Sequence, residues 1–184
     1  VRVVYNQENV GVAAGINIGV KLARADTFIL LGSDTIVPRG AVQKMHESLC
    51  SNPSWGVVGP VSNAVGNEQA IWMPSHTVPE ILKAGDEWVR HATESYFSTK
   101  QLCFFCAAMP RRTWEHVGAF DEAFGLGYYE DTDYCVRVND CGLKMVMLED
   151  IFVYHQGGAS FRKTPKKVKN LMRKNKKKFL AKHG

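Results

Sequence analysis

The chain has 184 residues, 45% of them hydrophobic and 22% charged, with 7 prolines. Such a composition builds one core of domain size and excludes collagen, a coiled coil, a disulfide mini-scaffold and a disordered chain. The net charge of +5 is unevenly spread: positions 162 to 184 hold 11 Lys and Arg and no acid, which leaves residues 1 to 161 with 12 basic against 18 acidic side chains, a net of −6.

Affinity for phosphate backbones needs distributed cations, so an acidic body argues against a nucleic-acid partner and suits a site that holds a cation. No run approaches the roughly 20 apolar residues that span a bilayer. The opening Val1-Arg2-Val3-Val4-Tyr5 has no initiator Met, basic n-region or cleavage site, so the chain reads as a piece of a longer protein without a secretory signal. Five cysteines, an odd count, point to reduced thiols in a cytosolic setting. Cys103-Phe104-Phe105-Cys106 has the spacing of a redox pair or half a zinc site, but no second CxxC or His pair follows, which favours two buried thiols in an apolar strand.

In chain order, Val1–Tyr5 reads as a strand and Asn9–Arg24 as a helix. Thr27–Leu31 is a second strand, ending in Gly32-Ser33-Asp34, and Pro38 opens a helix to about Cys50. Trp55–Val61 is a strand. Residues 62 to 98 form an irregular excursion over the sheet, with one helix at about Pro79–Thr93. A strand at Gln101–Met109, a helix at Arg111–Val117 and a Gly-rich loop lead to a helix from Glu130 to about Asp140, stopped by Gly142. Strands at Lys144–Leu148 and Ile151–His155 precede a basic amphipathic helix from Pro165. The alternation predicts a single α/β domain with a parallel sheet and right-handed crossovers.

Ligands of open α/β sheets lie beyond the carboxyl ends of the strands. Three polar groups fall there: Asn6–Gly11, Gly32-Ser33-Asp34 and His155-Gln156-Gly157-Gly158. Gly11, Gly15 and Gly19 strip side chains from one helix face, which serves either close packing or close approach of a ligand. Asp34 reads as a turn residue or as a carboxylate for Mg²⁺ or Mn²⁺ on a diphosphate. Glu130-Asp131-Thr132-Asp133 either caps a helix or holds a general base whose pKa is raised by like charges. His155 reads as a core histidine or a metal ligand.

Asn9-Val-Gly-Val-Ala-Ala-Gly-Ile-Asn-Ile-Gly, Phe28-Ile-Leu-Leu-Gly-Ser-Asp-Thr, Phe105-Cys-Ala-Ala-Met-Pro-Arg-Arg, Val117-Gly-Ala-Phe-Asp-Glu-Ala-Phe-Gly, Glu130-Asp-Thr-Asp-Tyr-Cys-Val-Arg and Val153-Tyr-His-Gln-Gly-Gly together resemble the family 2 glycosyltransferases of the GT-A fold, a group that includes many rhamnosyltransferases. The resemblance covers nearly the whole chain in the family's order. It implies a three-layer α/β/α sandwich lacking its first strand or strands, with residues 1–161 as the catalytic domain and 162–184 as a basic C-terminal helix. It implies an inverting, metal-assisted sugar transfer from a nucleoside-diphosphate sugar to a glycan or lipid-linked acceptor, in glycan or polysaccharide biosynthesis. Asp131 matches the family's general base, Asp34 and His155 its Mn²⁺ or Mg²⁺ ligands, Asn9, Gly15, Asn17, Ser33 and Asp34 its donor site, and Ala107, Ala108 and Glu130 its acceptor site.

Three departures go with it. The D-x-D position reads Gly32-Ser33-Asp34 with one carboxylate, and the small-residue segment near the acceptor reads Cys106-Ala107-Ala108. The family's first strand and acidic second strand end lie before Val1, roughly 30 to 60 residues by the size of a βα unit. The expectation is an unpaired apolar edge at Val1–Tyr5 and Thr27–Leu31 and poor activity of this chain alone. A non-catalytic nucleotide-sugar-binding module is the alternative. A cytoplasmic place, with the basic tail against anionic lipid at the inner face of a membrane, is a further expectation.

Overall fold

Asn9 ends the first loop by accepting from the Gly11 amide through its side-chain oxygen at 3.0 Å, and helix α1 (Val12–Leu22) follows. The computed structural model describes residues 3–74, 77–92, 96–157 and 165–184. After α1 come β1 (Thr27–Leu31), β2 (Thr35–Ile36), α2 (Ala41–Ser51), β3 (Trp55–Val61), α3 (Val78–His91), β4 (Tyr96–Thr99) and β5 (Cys106–Pro110). Then α4 (Arg111–Val117), a 3₁₀ turn (Glu122–Phe124), α5 (Glu130–Asp140), β6 (Lys144–Phe152), β7 (Tyr154–His155) and α6 (Pro165–His183) complete the chain.

Five strands form one sheet in the order β1-β5-β3-β6-β4, and β2 with β7 forms a separate two-stranded ladder. Successive side chains on a strand face opposite sides. In β5 this sends Ala107 and Met109 to one core and Cys106 and Ala108 to the other. The first core packs against α1, α3 and α5 through Ala13, Val20, Ile81, Tyr134 and Val138; the second packs against α2 through Ala41, Met45 and Leu49. Helices on both faces of a sheet make the three-layer α/β/α sandwich.

Several expectations need correction. The sheet is mixed: among its pairings only β3 with β6 is parallel, while β5 lies antiparallel between β1 and β3. Hydrophobic runs of buried strands look alike in either direction, so periodicity carries no directional signal. The described part of Val1–Tyr5 forms no strand; Val3, Val4 and Tyr5 are exposed at 62%, 49% and 88%. An apolar run becomes a strand only when a neighbour completes its hydrogen-bond ladder. β5 begins at Cys106 instead of Gln101, and β6 runs unbroken through the expected gap at residues 149–150. The excursion also supplies β4, an edge strand antiparallel to β6.

The basic helix is not a solvated tail. Asn175 is fully buried, Lys178 bonds the Ala123 carbonyl, Lys182 reaches Asp121 and Asp133, each at 2.7 Å, and His183 reaches Asp133 at 2.8 Å. Of the apolar side chains of that helix, Val168, Leu171 and Phe179 are half-buried, while Met172 and Leu180 stay exposed. Gly158 of the His155-Gln156-Gly157-Gly158 group and the first basic residues, Arg162 and Lys163, lie outside the described residues. No helix among the described residues is long and apolar enough to cross a membrane.

Candidate functional site

The chain turns sharply where β1 ends. The Gly32 amide donates to the Phe105 carbonyl at 2.8 Å and the Thr35 hydroxyl donates back to the Gly32 carbonyl at 2.7 Å, which presents Ser33 to solvent and Asp34 beside β7. The β2–β7 ladder pairs Thr35 with His155, and the Gln156 amide donates to the Asp34 carbonyl at 2.9 Å. Asn63 clamps the His155 backbone from both sides, accepting from its amide and donating to its carbonyl at 2.9 Å each.

The histidine ring is oriented just as closely. Its Nδ1 lies 2.7 Å from the Ala64 carbonyl, and a carbonyl only accepts, so the proton of the neutral ring stands on Nδ1. Phe105 stacks on the ring at 5.1 Å between centroids. The Nε2 lone pair then faces Asp34 Oδ1 at 3.4 Å, both side chains being partly exposed at 17% and 21%. Two acceptors held against each other call for a positive charge between them, supplied by a second ring proton or a cation.

The donor set fits Mn²⁺ or Mg²⁺. Carboxylate suits both ions, imidazole is tolerated better by the softer Mn²⁺ than by Mg²⁺, and adjacent ligands of an octahedral ion at about 2.1 Å lie about 3 Å apart. Among the described residues no group of three or more His, Cys, Asp or Glu converges, so these two side chains alone would leave most of a cation's coordination sphere to other ligands.

The acidic segment opens α5, and the structure sorts its carboxylates. Asp133 is fully buried and turned toward α6, bonding Arg137 at 2.9 Å, Lys182 and His183. Burial works to raise its carboxyl, but the hydrogen bonds from Lys182, His183 and Arg137 outweigh burial and hold it below the usual carboxylate range. It is structural. Asp131 has no basic partner of this kind among the described residues: its Oδ1 accepts from the Thr132 amide at 2.7 Å, and burial pushes its carboxyl up against that bond and another from the Phe104 backbone. Glu130 is 8% exposed, its Oε2 has no partner among the described residues, and burial followed by the charge of Asp131 pushes it up to about 7.

Residues 103–106 tie these parts together. Phe104 approaches Asp131 through its backbone and also lines a cleft of about 610 Å³ between the bare face of α1 and strand β1. Phe105 touches Gly32 and His155. In the cleft, Gly15 and Gly19 have no neighbouring group among the described residues within 4 Å of where a Cβ would stand, so none of these packs against the smooth helix face there. A cavity of about 680 Å³ lies beside Lys144 at the start of β6, the far end of that strand from His155. Cys103, Cys106 and Cys135 are free thiols; burial pushes Cys103 to about 11 and both Cys106 and Cys135 to about 12, and while Cys106 is a small buried hydrophobe in β5, Cys103 is half-buried and precedes that strand.

Asp34 and His155 thus come together, as do Glu130 and Asp131; Gly15 lines the cleft, and Asn9 holds the turn before the helix beside it by accepting from the Gly11 amide. Asn17 is buried with both ends of its amide engaged, donating to the Phe120 carbonyl and Glu122 and accepting from the Phe120 amide, so it ties α1 to that loop. Ala107 and Ala108, expected at the acceptor site, are both fully buried in strand β5, with their side chains in the two cores on either face of the sheet. Asn63 and Phe105 were missed. Asn63 lies in the irregular excursion with no local signal, whereas Phe105 directly precedes a strand and was legible as a site neighbour only through its partners.

A family model described as "Glycosyltransferase like family 2" matches residues 1–176. No curated protein matches the sequence. Among solved structures, the chain is similar to GalNAc-T7 crystallised with UDP, GalNAc and Mn²⁺, with a TM-score of 0.61 at 13% identity over 82% of this chain and 31% of that one. It is also similar to the mannosyltransferase PcManGT from Pyrobaculum calidifontis in complex with GDP-Man and Mn²⁺, with a TM-score of 0.59 at 16% identity over 88% of this chain and 42% of that one. The chain therefore spans less than half the length of either structure, and at these identities the likeness establishes the GT-A fold. With the family model covering nearly every residue, the chain belongs to the glycosyltransferase-like family 2.

Proposed function

We propose that this chain carries the catalytic site of an inverting glycosyltransferase, which moves a sugar from a nucleoside-diphosphate sugar to an acceptor hydroxyl in glycan or polysaccharide biosynthesis. The observation that carries the reading is the facing of His155 Nε2 and Asp34 Oδ1 at 3.4 Å, two oriented acceptors arranged for a cation. UDP, GDP-Man and Mn²⁺ in the structural relatives support the same class of donor and metal. Asp34 and His155 would hold Mn²⁺ or Mg²⁺, which when bound supplies positive charge to a departing diphosphate.

The chain's own groups do the rest. Asn9, Gly15 and Ser33 flank the donor, the open glycine face letting it lie close to the α1 backbone. Asp131 takes the proton of the acceptor hydroxyl as that oxygen forms its bond to the anomeric carbon and the bond from that carbon to the diphosphate breaks. Burial raises its carboxyl toward the working pH, which improves it as a base. Glu130 stands on the acceptor side, and at about 7 it is half protonated near neutrality, which limits charge repulsion with Asp131. The acceptor is a glycan or a lipid-linked sugar, handled in the cytoplasm.

The test is thermal stability with UDP, dTDP and GDP, each with and without Mn²⁺, alongside nucleotide release from the matching sugar donors. A rise that needs metal and disappears in Asp34→Ala supports the diphosphate site, and loss of release in Asp131→Asn with nucleotide binding intact supports the base. The single carboxylate of Gly32-Ser33-Asp34 favours a second reading, a nucleotide-sugar-binding module without turnover. Binding without release by the full-length protein would select it.

A further inference from the structure

The loop that presents Glu130 and Asp131 is strained, and what restrains it lies far away in sequence. Of the five residues before α5, four have positive φ: Gly125 at 67°, Gly127 at 146°, Tyr128 at 69° and Tyr129 at 76°. Left-handed backbone is unfavourable for a tyrosine, and two in succession persist only where the surroundings hold them. Tyr129 is itself the N-terminal cap of α5, so its conformation sets the direction in which the helix leaves and the place of the two carboxyls.

Asn175 of α6 supplies the hold. Its side chain is fully buried, and its Nδ2 donates to the carbonyls of Phe124 at 2.7 Å, Gly127 at 2.8 Å and Tyr128 at 3.0 Å. Its Oδ1 is buried with no partner among the described residues, so the amide is committed to gathering this one loop. A flipped amide would set oxygen against three oxygens. The neighbouring turn of α6 adds to the grip: Phe179 packs on Tyr129 at 5.7 Å between centroids, and Lys178 donates to the Ala123 carbonyl.

We infer that Asn175 is a positioning residue, which holds the left-handed Tyr128–Tyr129 turn and thereby places the Glu130 and Asp131 carboxyls for reaction. The inference rests on Asp131 being the base. It gives α6 a role in the catalytic site without contact to any reactant.

The experiment compares the full chain with Asn175→Ala, Lys178→Met and Asp131→Asn. Glu130 is titrated by carboxyl ¹³C NMR, and nucleotide release from a UDP- or GDP-sugar is measured over a range of donor concentrations. In Asn175→Ala the loop relaxes and water reaches Glu130, whose titration falls from about 7 toward the ordinary carboxylate range. The kcat falls about 100-fold, as for a reacting group misplaced by about 1 Å, while the donor KM stays the same.

A folded Asn175→Ala with the wild-type titration and kcat would overturn the inference. So would equal losses in donor binding and turnover, the mark of general damage. Should Asn175→Ala not fold, Lys178→Met decides: a smaller shift of Glu130 in the same direction supports the hold, and no shift overturns it. If Asp131→Asn releases nucleotide at the wild-type rate, the base assignment fails, and the Glu130 titration still judges whether α6 holds the loop.

Discussion

Replacing Glu130 by Gln should stabilise the protein at neutral pH and leave it unchanged or weaker in acid. The carboxyl is 8% exposed and moves from an ordinary 4.5 to about 7 on folding. At about 1.4 kcal/mol per tenfold change in proton affinity, ionised Glu130 costs the folded state about 3 kcal/mol. The sign follows from proton binding. Below 4.5 the carboxyl is protonated folded and unfolded, and the cost is absent; between 4.5 and 7 the unfolded chain loses its proton first, so stability falls as pH rises; above 7 the cost is complete.

Gln has no such titration. Its amide enters the same pocket, where Oε2 has no partner among the described residues, and any unmade hydrogen bond there costs the same at every pH. Urea unfolding of both proteins at pH 4, 6 and 8 isolates the effect. The stability of Glu130→Gln minus that of wild type should rise by about 3 kcal/mol from pH 4 to pH 8, or about 6 to 12 °C in melting temperature for a domain of this length. A difference that is flat with pH would refute the burial argument, and with it the pairing of a neutral Glu130 with a basic Asp131. Activity should fall in the same variant, since a group buried at such cost for function is stabilised by its removal.

Asn63→Ala removes both bonds that clamp the His155 backbone and should weaken Mn²⁺ binding in the presence of a nucleoside diphosphate by about 10- to 100-fold, read by calorimetry. Gly11→Ala should cost about 3 kcal/mol or more and lower the urea midpoint: φ is 87°, ψ is 173°, and the new Cβ would stand 2.1 Å from the Gly125 carbonyl oxygen. An unchanged midpoint would mean that α1 and the 125 loop do not touch. In native protein at pH 8 a thiol reagent should label exposed Cys50 first, and Cys106 and Cys135 only after unfolding, because burial holds both near 12 and leaves about one thiolate in ten thousand. Peptide mapping after a short pulse gives the order.

Short-range physics was legible from residue order. Apolar runs at Thr27–Leu31 and Trp55–Val61 became strands, glycine spacing marked the bare face of α1, and acids clustered where α5 begins, because each signal acts within one turn or one strand. That also put Asp34 at a strand end and Asp131 at a helix start. Helix geometry also parts Asp131 from Asp133, since positions two apart point about 200° from each other. What tertiary structure alone decided was partnership. The antiparallel placing of β5 buried Ala107 and Ala108; the β2–β7 ladder brought His155 to Asp34; Ala64 chose the tautomer; and α6 returned to grip the loop before α5. Each joins segments remote in sequence, and such contacts form only once the whole sheet has closed the intervening loops, so no local window contains them.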